Sequence, residues 1–114
     1  MKLKYVMVLL AGMVSEQATA GFLSAQELYK SIKGIDAGTP TASREFDGGQ
    51  AYGYIFAVYD LYEGLAVCAP AGTSGGQVLR VVQNQLEQHP ESWGLPASVE
   101  VTKALTSVWP CKRQ

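Results

Sequence analysis

The chain has few of the residues on which catalysis and metal binding usually depend. Its 114 residues include one histidine and two cysteines, and no aspartate follows Asp60. A single histidine leaves a Cys/His zinc site short of ligands, because such sites use four protein side chains. The 9 basic and 10 acidic residues form no long run of one sign, which disfavours nucleic acid and anionic membranes as partners. We therefore predict a protein with no cofactor and no metal.

The apolar run at the N-terminus is too short to span a membrane. It covers residues 5–14, about ten residues, whereas a transmembrane helix needs roughly 20. Two lysines precede the run and Ala18-Thr19-Ala20 follows it, which is the order found in secretory signal peptides. We predict a signal peptide over 1–20, cleaved after about Ala20, and a single mature domain over 21–114 without a membrane segment.

The two cysteines, Cys68 and Cys111, have three possible states in an exported chain. A disulfide is favoured because secreted proteins fold under oxidising conditions. It would close a loop of about 43 residues and stabilise the fold by roughly 4 kcal/mol in the chain-entropy model. Two free thiols, or half of a metal site, are the alternatives.

Local signals predict four helices and no strand. Ser24-Ala25-Gln26-Glu27 is a capping box, in which the N-cap serine accepts a backbone N–H, and it begins a helix over 25–33. Residues 34–48 are rich in Gly, Thr and Asp, which indicates a long loop. Helical spacing of apolar residues predicts three more helices, in the segments 49–65, 75–88 and 96–110. The predicted fold class is therefore all-α, a small bundle of about four helices.

The helix over 49–65 is apolar on more than one side. One stripe contains Ala51, Tyr54, Ile55, Val58, Leu61, Tyr62 and Leu65. A second stripe combines aromatic residues with two small residues that would permit close approach of another helix: Tyr52, Gly53, Phe56, Ala57 and Tyr59. A helix that is apolar on most sides is either central or shared between subunits. The second stripe is therefore a candidate homodimer interface, and the alternative is that it belongs to the core.

The segment Gly72-Thr73-Ser74-Gly75-Gly76 matches G-x-S-x-G, the nucleophile elbow of serine hydrolases. Such an elbow needs a preceding strand and a later acid and histidine. No strand pattern precedes Ser74, and His89 would lie at the far end of the same helix, about 22 Å away at 1.5 Å per residue. Ser74 and Gln77 instead form a second capping box. Ser74 is therefore predicted to be a helix N-cap, and the chain is predicted not to be an enzyme.

Several short motifs occur in a fixed order along the chain: Gly53-Tyr54-Ile55, Cys68-Ala69-Pro70, Gly76-Gln77, His89-Pro90 and Pro110-Cys111. In this order and spacing the chain resembles the Rap/Tai family of type VI secretion immunity proteins. The resemblance implies a periplasmic, all-helical homodimer. It also implies that the partner is a cell-wall amidase effector of the Cys-His type, whose cleft an immunity protein occludes without chemistry of its own.

The chain departs from the family pattern at its cysteines. Family members often carry one cysteine near the end of the first helix and another two residues before the Gly-Tyr pair. This chain has no cysteine between residues 24 and 36, and Ala51 stands at the second position. Because both are missing together, the resemblance leaves Cys68 to pair with Cys111.

The alternative function is a helical periplasmic chaperone or stress protein with no toxin partner.

The turn between the third and fourth helices is the candidate toxin-binding site. Its ends are fixed by Pro90 and Pro96, and its middle contains a tryptophan, a residue type common among interface anchors. The predicted contact residues are His89, Glu91, Ser92 and Trp93. On this hypothesis Trp93→Ala would weaken binding without altering thermal stability. The alternatives are that His89 only caps a helix, that Trp93 packs on the helices, or that the loop 69–75 binds the toxin instead.

Overall fold

The computed structural model describes residues 21–112 and contains four α-helices in that range: α1 (Ala25–Ile35), α2 (Ala42–Tyr62), α3 (Gly75–Gln88) and α4 (Ala97–Val108). A single 3₁₀ turn, Pro90–Ser92, lies between α3 and α4. The prediction of an all-α bundle with one disulfide is confirmed. The predicted signal peptide over 1–20 lies outside the described residues. Between residues 21 and 112, none of the helices has the length and apolar character needed to cross a membrane.

The four helices surround one core, and each helix contacts the other three. α1 packs most extensively on α2, and α3 packs most extensively on α4. Burying each large aliphatic side chain contributes roughly 1.5–3 kcal/mol, so the core supplies most of the favourable free energy of folding. Its largest apolar members, all at most 1% exposed, are Leu28, Ile32, Ile55, Val67, Val82, Leu86, Val101 and Leu105.

Two helices begin with complete capping boxes. The Oγ of Ser24 accepts a hydrogen bond from the N–H of Glu27 at 3.2 Å, and the N–H of Ser24 donates to the Glu27 carboxylate at 2.8 Å. At the start of α3, Ser74 and Gln77 form the same pair of bonds at 3.2 and 2.8 Å. Because the hydroxyl of Ser74 accepts from the backbone of its own helix, this serine is the N-cap of α3, as the capping box predicted.

The predicted loop over 34–48 is wrong in its second half, because α2 begins at Ala42. Thr41 is the N-cap, and its hydroxyl accepts from the N–H of Arg44 at 3.2 Å. The guanidinium of Arg44 also donates, at 2.6 and 3.0 Å, to the carbonyls of Ala37 and Thr39. Arg44 therefore stabilises the short connection between α1 and α2. No local sequence motif predicted this role.

One of the glycines that suggested a loop, Gly48, serves helix packing instead. Gly48 is buried, and a Cβ at this position would lie 3.1 Å from Cγ1 of Ile35. That distance is tighter than most real Cβ contacts. A glycine here lets α2 approach the end of α1 closely, which a larger residue would prevent without a shift of Ile35.

Only part of the first apolar stripe of α2 is buried. Ala51 and Ile55 have no exposed surface, whereas Leu61 is 65% exposed and Leu65 is 77% exposed. The helix ends at Tyr62, and Gly64 then adopts a φ of 78°, a left-handed conformation that glycine adopts readily. This reversal leaves Leu65 outside the bundle.

The disulfide ties the chain before α3 to the end of α4. Cys68 and Cys111 are bonded, with their Cα atoms 4.9 Å apart. The N–H of Cys68 donates to the carbonyl of Trp109 at 2.8 Å, so a backbone hydrogen bond accompanies the covalent bond. The two chain segments therefore meet in one fixed register at the N-terminal end of α3.

Candidate functional site

The connection between α3 and α4, residues 89–96, is here named the α3–α4 segment. His89 is the C-cap residue of α3, and its N–H donates to the carbonyl of Gln85 at 3.1 Å. Pro90 opens the 3₁₀ turn, and Pro96 is the residue that immediately precedes α4. Since proline fixes φ near −65°, the two prolines restrict the backbone at both ends of the segment.

The N-terminus of α1 binds the middle of the α3–α4 segment. A helix leaves its first four N–H groups without partners inside the helix. In α1 the first two donate to carbonyls of the segment: Ala25 to Leu95 at 2.9 Å and Gln26 to Trp93 at 3.1 Å. The capping serine satisfies the next two, one by its hydroxyl and one by its carbonyl. The segment is therefore part of the cap of α1, and its backbone is fixed there.

Trp93 is docked on the helices, which was the alternative interpretation of this residue. Its indole N–H donates to the carbonyl of Leu86 at 2.8 Å. The ring centroid lies 5.0 Å from that of Tyr29, with 30° between the two planes, a distance typical of favourable aromatic pairs. The side chain is half-buried. Trp93 thus joins the segment to α1 and α3, and any contact with a toxin would use only its exposed part.

The exposed part of the segment has an acidic and an apolar component. The Glu91 side chain is 67% exposed, and one of its oxygens lies 2.8 Å from Nδ1 of His89. The hydrogen bond from His89 lowers the pKa of the Glu91 carboxyl below its ordinary value. Ser92 is half-buried, and its N–H donates to the carbonyl of His89 at 3.0 Å. Leu95 is 40% exposed; the sequence placed it at the end of the predicted turn but gave no sign that its side chain would be a contact residue.

The loop 69–75 is also ordered. The Thr73 hydroxyl donates to the carbonyl of Pro70 at 2.6 Å, and Gly72 has a φ of 84°. The disulfide of Cys68 lies at its base. The loop presents small residues and no aromatic side chain, so it offers a partner less contact area than the α3–α4 segment does.

The candidate dimer stripe is divided between the interior and the surface. Phe56 and Tyr59 are half-buried and pack against the core. Phe56 also covers the start of α3, since a Cβ on Gly75 would lie 2.7 Å from Cζ of Phe56. Tyr52 is half-buried, with its ring centroid 5.4 Å from that of Phe56. Gly53 is exposed and has no atom within 4 Å of an added Cβ, so it faces open space.

The chain matches a known family of proteins over most of its length. The family model described as Rap1a immunity proteins matches residues 24–111. The matched range contains all four helices, both cysteines and the whole α3–α4 segment. No curated protein matches the chain.

Proposed function

Because the chain belongs to the Rap1a immunity protein family, we propose that it protects its producer from a type VI secretion effector that hydrolyses peptidoglycan. The family match over 24–111 carries the immunity role, in which the chain binds a cognate toxin. The finer proposal is that the toxin is a Cys-His amidase, that binding takes place in the periplasm, and that the chain occludes the active-site cleft of the amidase.

The α3–α4 segment is the proposed occluding surface. Its backbone is already ordered by α1 and by two prolines, so binding would cost little conformational entropy. Its exposed groups are a carboxylate, Glu91, and an aliphatic side chain, Leu95. A carboxylate suits a cleft that contains a basic histidine, and the leucine can be desolvated beside it. The proposed contact residues are His89, Glu91, Ser92, Trp93 and Leu95.

Occlusion is a stoichiometric, non-enzymatic mode of inhibition. The proposal needs no nucleophile in this chain, and Ser74, the residue that most resembles one, serves as the N-cap of α3. We therefore expect inhibition to saturate at a fixed ratio of chain to toxin, without turnover. An inhibitor that modified the toxin chemically would instead act at less than one equivalent.

The experiment starts with the mature chain as bait in an extract of type VI secretion-competent cells. The captured protein is identified by mass spectrometry, purified and tested on isolated peptidoglycan. We expect a Cys-His amidase whose activity is lost at a fixed stoichiometry, and we expect Glu91→Arg bait to capture less of it. Capture of many unrelated unfolded proteins would favour the alternative of a periplasmic chaperone.

The periplasmic location is tested separately from toxin binding. N-terminal sequencing of the protein recovered from the periplasm should begin at Gly21. Recovery of the full-length chain from the cytoplasm, with Met1 or Lys2 at its N-terminus, would contradict both the signal peptide and the location.

We also propose a homodimer formed through the outward side of α2. This side is supported by Gly53, which faces open space, and by two apolar neighbours that lack cover, Phe46 at 71% and Leu61 at 65% exposure. A Cβ at position 53 would meet no atom within 4 Å, so Gly53→Glu should leave the subunit folded and give monomers in light-scattering measurements. Asn84→Glu, on an exposed position of α3, is the matched control. A dimer that survives Gly53→Glu would place the interface elsewhere.

A further inference from the structure

One carboxylate inside the bundle is only partly satisfied. Glu100 of α4 has no exposed surface. Its Oε2 accepts a hydrogen bond from the side-chain amide of Gln85 at 3.2 Å, whereas its Oε1 has no hydrogen-bond partner. A buried carboxylate oxygen without a donor costs free energy, so a site of this kind needs an explanation other than stability.

The ammonium group that lies close to Oε1 of Glu100 could be replaced there by another cation. The ammonium of Lys103 lies 3.6 Å from Oε1 of Glu100, which is longer than a hydrogen bond. The Lys103 side chain is 58% exposed, and lysine has a long, flexible stem. Only the flexible side chain of Lys103 therefore separates Oε1 of Glu100 from solvent on this side. If Lys103 turns into solvent, another cation can contact this oxygen.

The Glu100–Lys103 pair lies beside the proposed effector surface. Gln85 connects this pair to the α3–α4 segment, because its side-chain amide donates to Oε2 of Glu100 at 3.2 Å and its carbonyl accepts from the N–H of His89 at 3.1 Å. Gln85, the other partner of Glu100, lies one turn before the end of α3. Glu100 is therefore linked to the α3–α4 segment through Gln85.

We propose that Glu100 is an effector-binding residue, whose Oε1 accepts a hydrogen bond from an arginine or lysine side chain of the toxin after Lys103 has turned into solvent. This inference rests on the proposed function, and it adds one specific contact, between Glu100 and a basic side chain of the effector. An arginine fits the site best, because its planar guanidinium can donate to a carboxylate in fixed geometry. The effector is thus expected to present a basic side chain beside its cleft.

The acceptor can be tested without the effector by chemical rescue. Lys103→Ala removes the competing ammonium, and propylammonium chloride supplies a free one. We expect propylammonium to raise the melting temperature of this variant more than tetramethylammonium chloride, which has the same charge but no N–H. The difference should disappear in Glu100→Gln/Lys103→Ala. Equal effects of the two salts on the single variant would overturn the proposal, and Lys103→Met replaces Lys103→Ala if the latter does not fold.

The occupant is tested with the captured amidase. Glu100→Gln keeps the shape of the side chain and removes its charge, so it should weaken binding about tenfold. Lys103→Met removes the competitor and should bind at least as tightly as wild type. Wild-type affinity in Glu100→Gln would overturn the proposal. If wild type itself binds no amidase, the proposed function fails, while rescue by propylammonium would still show the acceptor site.

Discussion

Helices α3 and α4 are held together by different interactions at the two ends of the pair. At one end the Cys68–Cys111 disulfide joins the start of α3 to the end of α4. At the other end the α3–α4 segment is held by hydrogen bonds to α1 and by the docked ring of Trp93. The first end has a covalent bond together with the backbone hydrogen bond from Cys68 to Trp109, whereas the second end has only non-covalent interactions. The proposed effector surface lies at the second end, where Glu91 and Leu95 are exposed on a backbone that these hydrogen bonds hold in place.

The largest effect should come from breaking the covalent end. The disulfide closes a loop of 43 residues, so Cys68→Ser/Cys111→Ser should lower the free energy of unfolding by about 4 kcal/mol. The core does not depend on the two sulfur atoms, and the helical circular dichroism spectrum should persist. Urea denaturation of the exported protein measures the loss.

Reduction of wild type by dithiothreitol is the control for the cysteine variant, because it opens the same loop without a substitution. The two losses should agree. A loss below about 1 kcal/mol would show that the unfolded chain gains little freedom when the loop opens, and that the hydrogen bonds near Trp109 hold this end without the disulfide.

The next largest effect should come from Trp93 at the opposite end. Trp93→Ala removes a half-buried ring from Tyr29 and leaves the carbonyl of Leu86 without its donor. We expect a loss of about 2–3 kcal/mol, whereas the sequence alone suggested unchanged stability. Binding to the proposed amidase partner should also weaken at least tenfold, because the segment loses its fixed position.

Trp93→Phe separates the two contributions of the tryptophan. The ring against Tyr29 is retained and the indole N–H is lost, so stability should fall by only about 1 kcal/mol. If Trp93→Phe binds the amidase normally while Trp93→Ala does not, the ring positions the segment. If Trp93→Ala keeps normal affinity, the α3–α4 segment is not the binding surface and the loop 69–75 becomes the candidate.

A smaller effect distinguishes the two capping boxes. Ser24→Ala and Ser74→Ala should each lower stability by about 1 kcal/mol. Only Ser24 lies beside the N–H groups that bind the α3–α4 segment. Hydrogen exchange at the amides of Ala25 and Gln26 should therefore speed up in Ser24→Ala and remain unchanged in Ser74→Ala. Equal acceleration in both variants would show that the two ends of the bundle open together.

Most of the features that the sequence predicted have local causes. A capping box involves residues three positions apart, and both boxes form as the sequence indicated. The periodic apolar residues of α3, such as Val82 and Leu86, are buried for the same reason. The start of α2 was missed because Gly48 was interpreted as a loop residue. In the structure, Gly48 is in α2, and its small size leaves room for Ile35 of α1.

Apart from the disulfide, features that depend on distant residues could not be predicted. Tyr29 and Trp93 lie far apart in the sequence, and no motif near either residue predicts that their rings are in contact. Helical periodicity also gave no means of deciding which apolar stripe of α2 the bundle would cover, so the exposure of Leu61 emerged only from the structure. The unpaired oxygen of Glu100 is likewise a consequence of tertiary packing.

The smallest predicted effect concerns the pH dependence of the non-covalent end. The hydrogen bond from His89 lowers the pKa of Glu91 below its ordinary value of 4.5. A carboxyl whose pKa is lower in the folded state stabilises the fold above its unfolded pKa, and the contribution is lost as the pH falls through the folded pKa. Glu91→Gln should therefore melt slightly below wild type at neutral pH, and the two curves should converge below pH 4.5.

The control for Glu91 is a double-mutant cycle with His89→Gln, which removes the ring that lies 2.8 Å from the carboxylate. In that background Glu91→Gln should change the melting temperature less, and the acidic convergence should weaken. Both side chains are well exposed, so salt should screen the charged part of the interaction. A difference between wild type and Glu91→Gln that persists unchanged at pH 3 would mean that shape, and not charge, connects Glu91 to the segment. Such a result would also weaken the view that this end attracts a basic partner electrostatically.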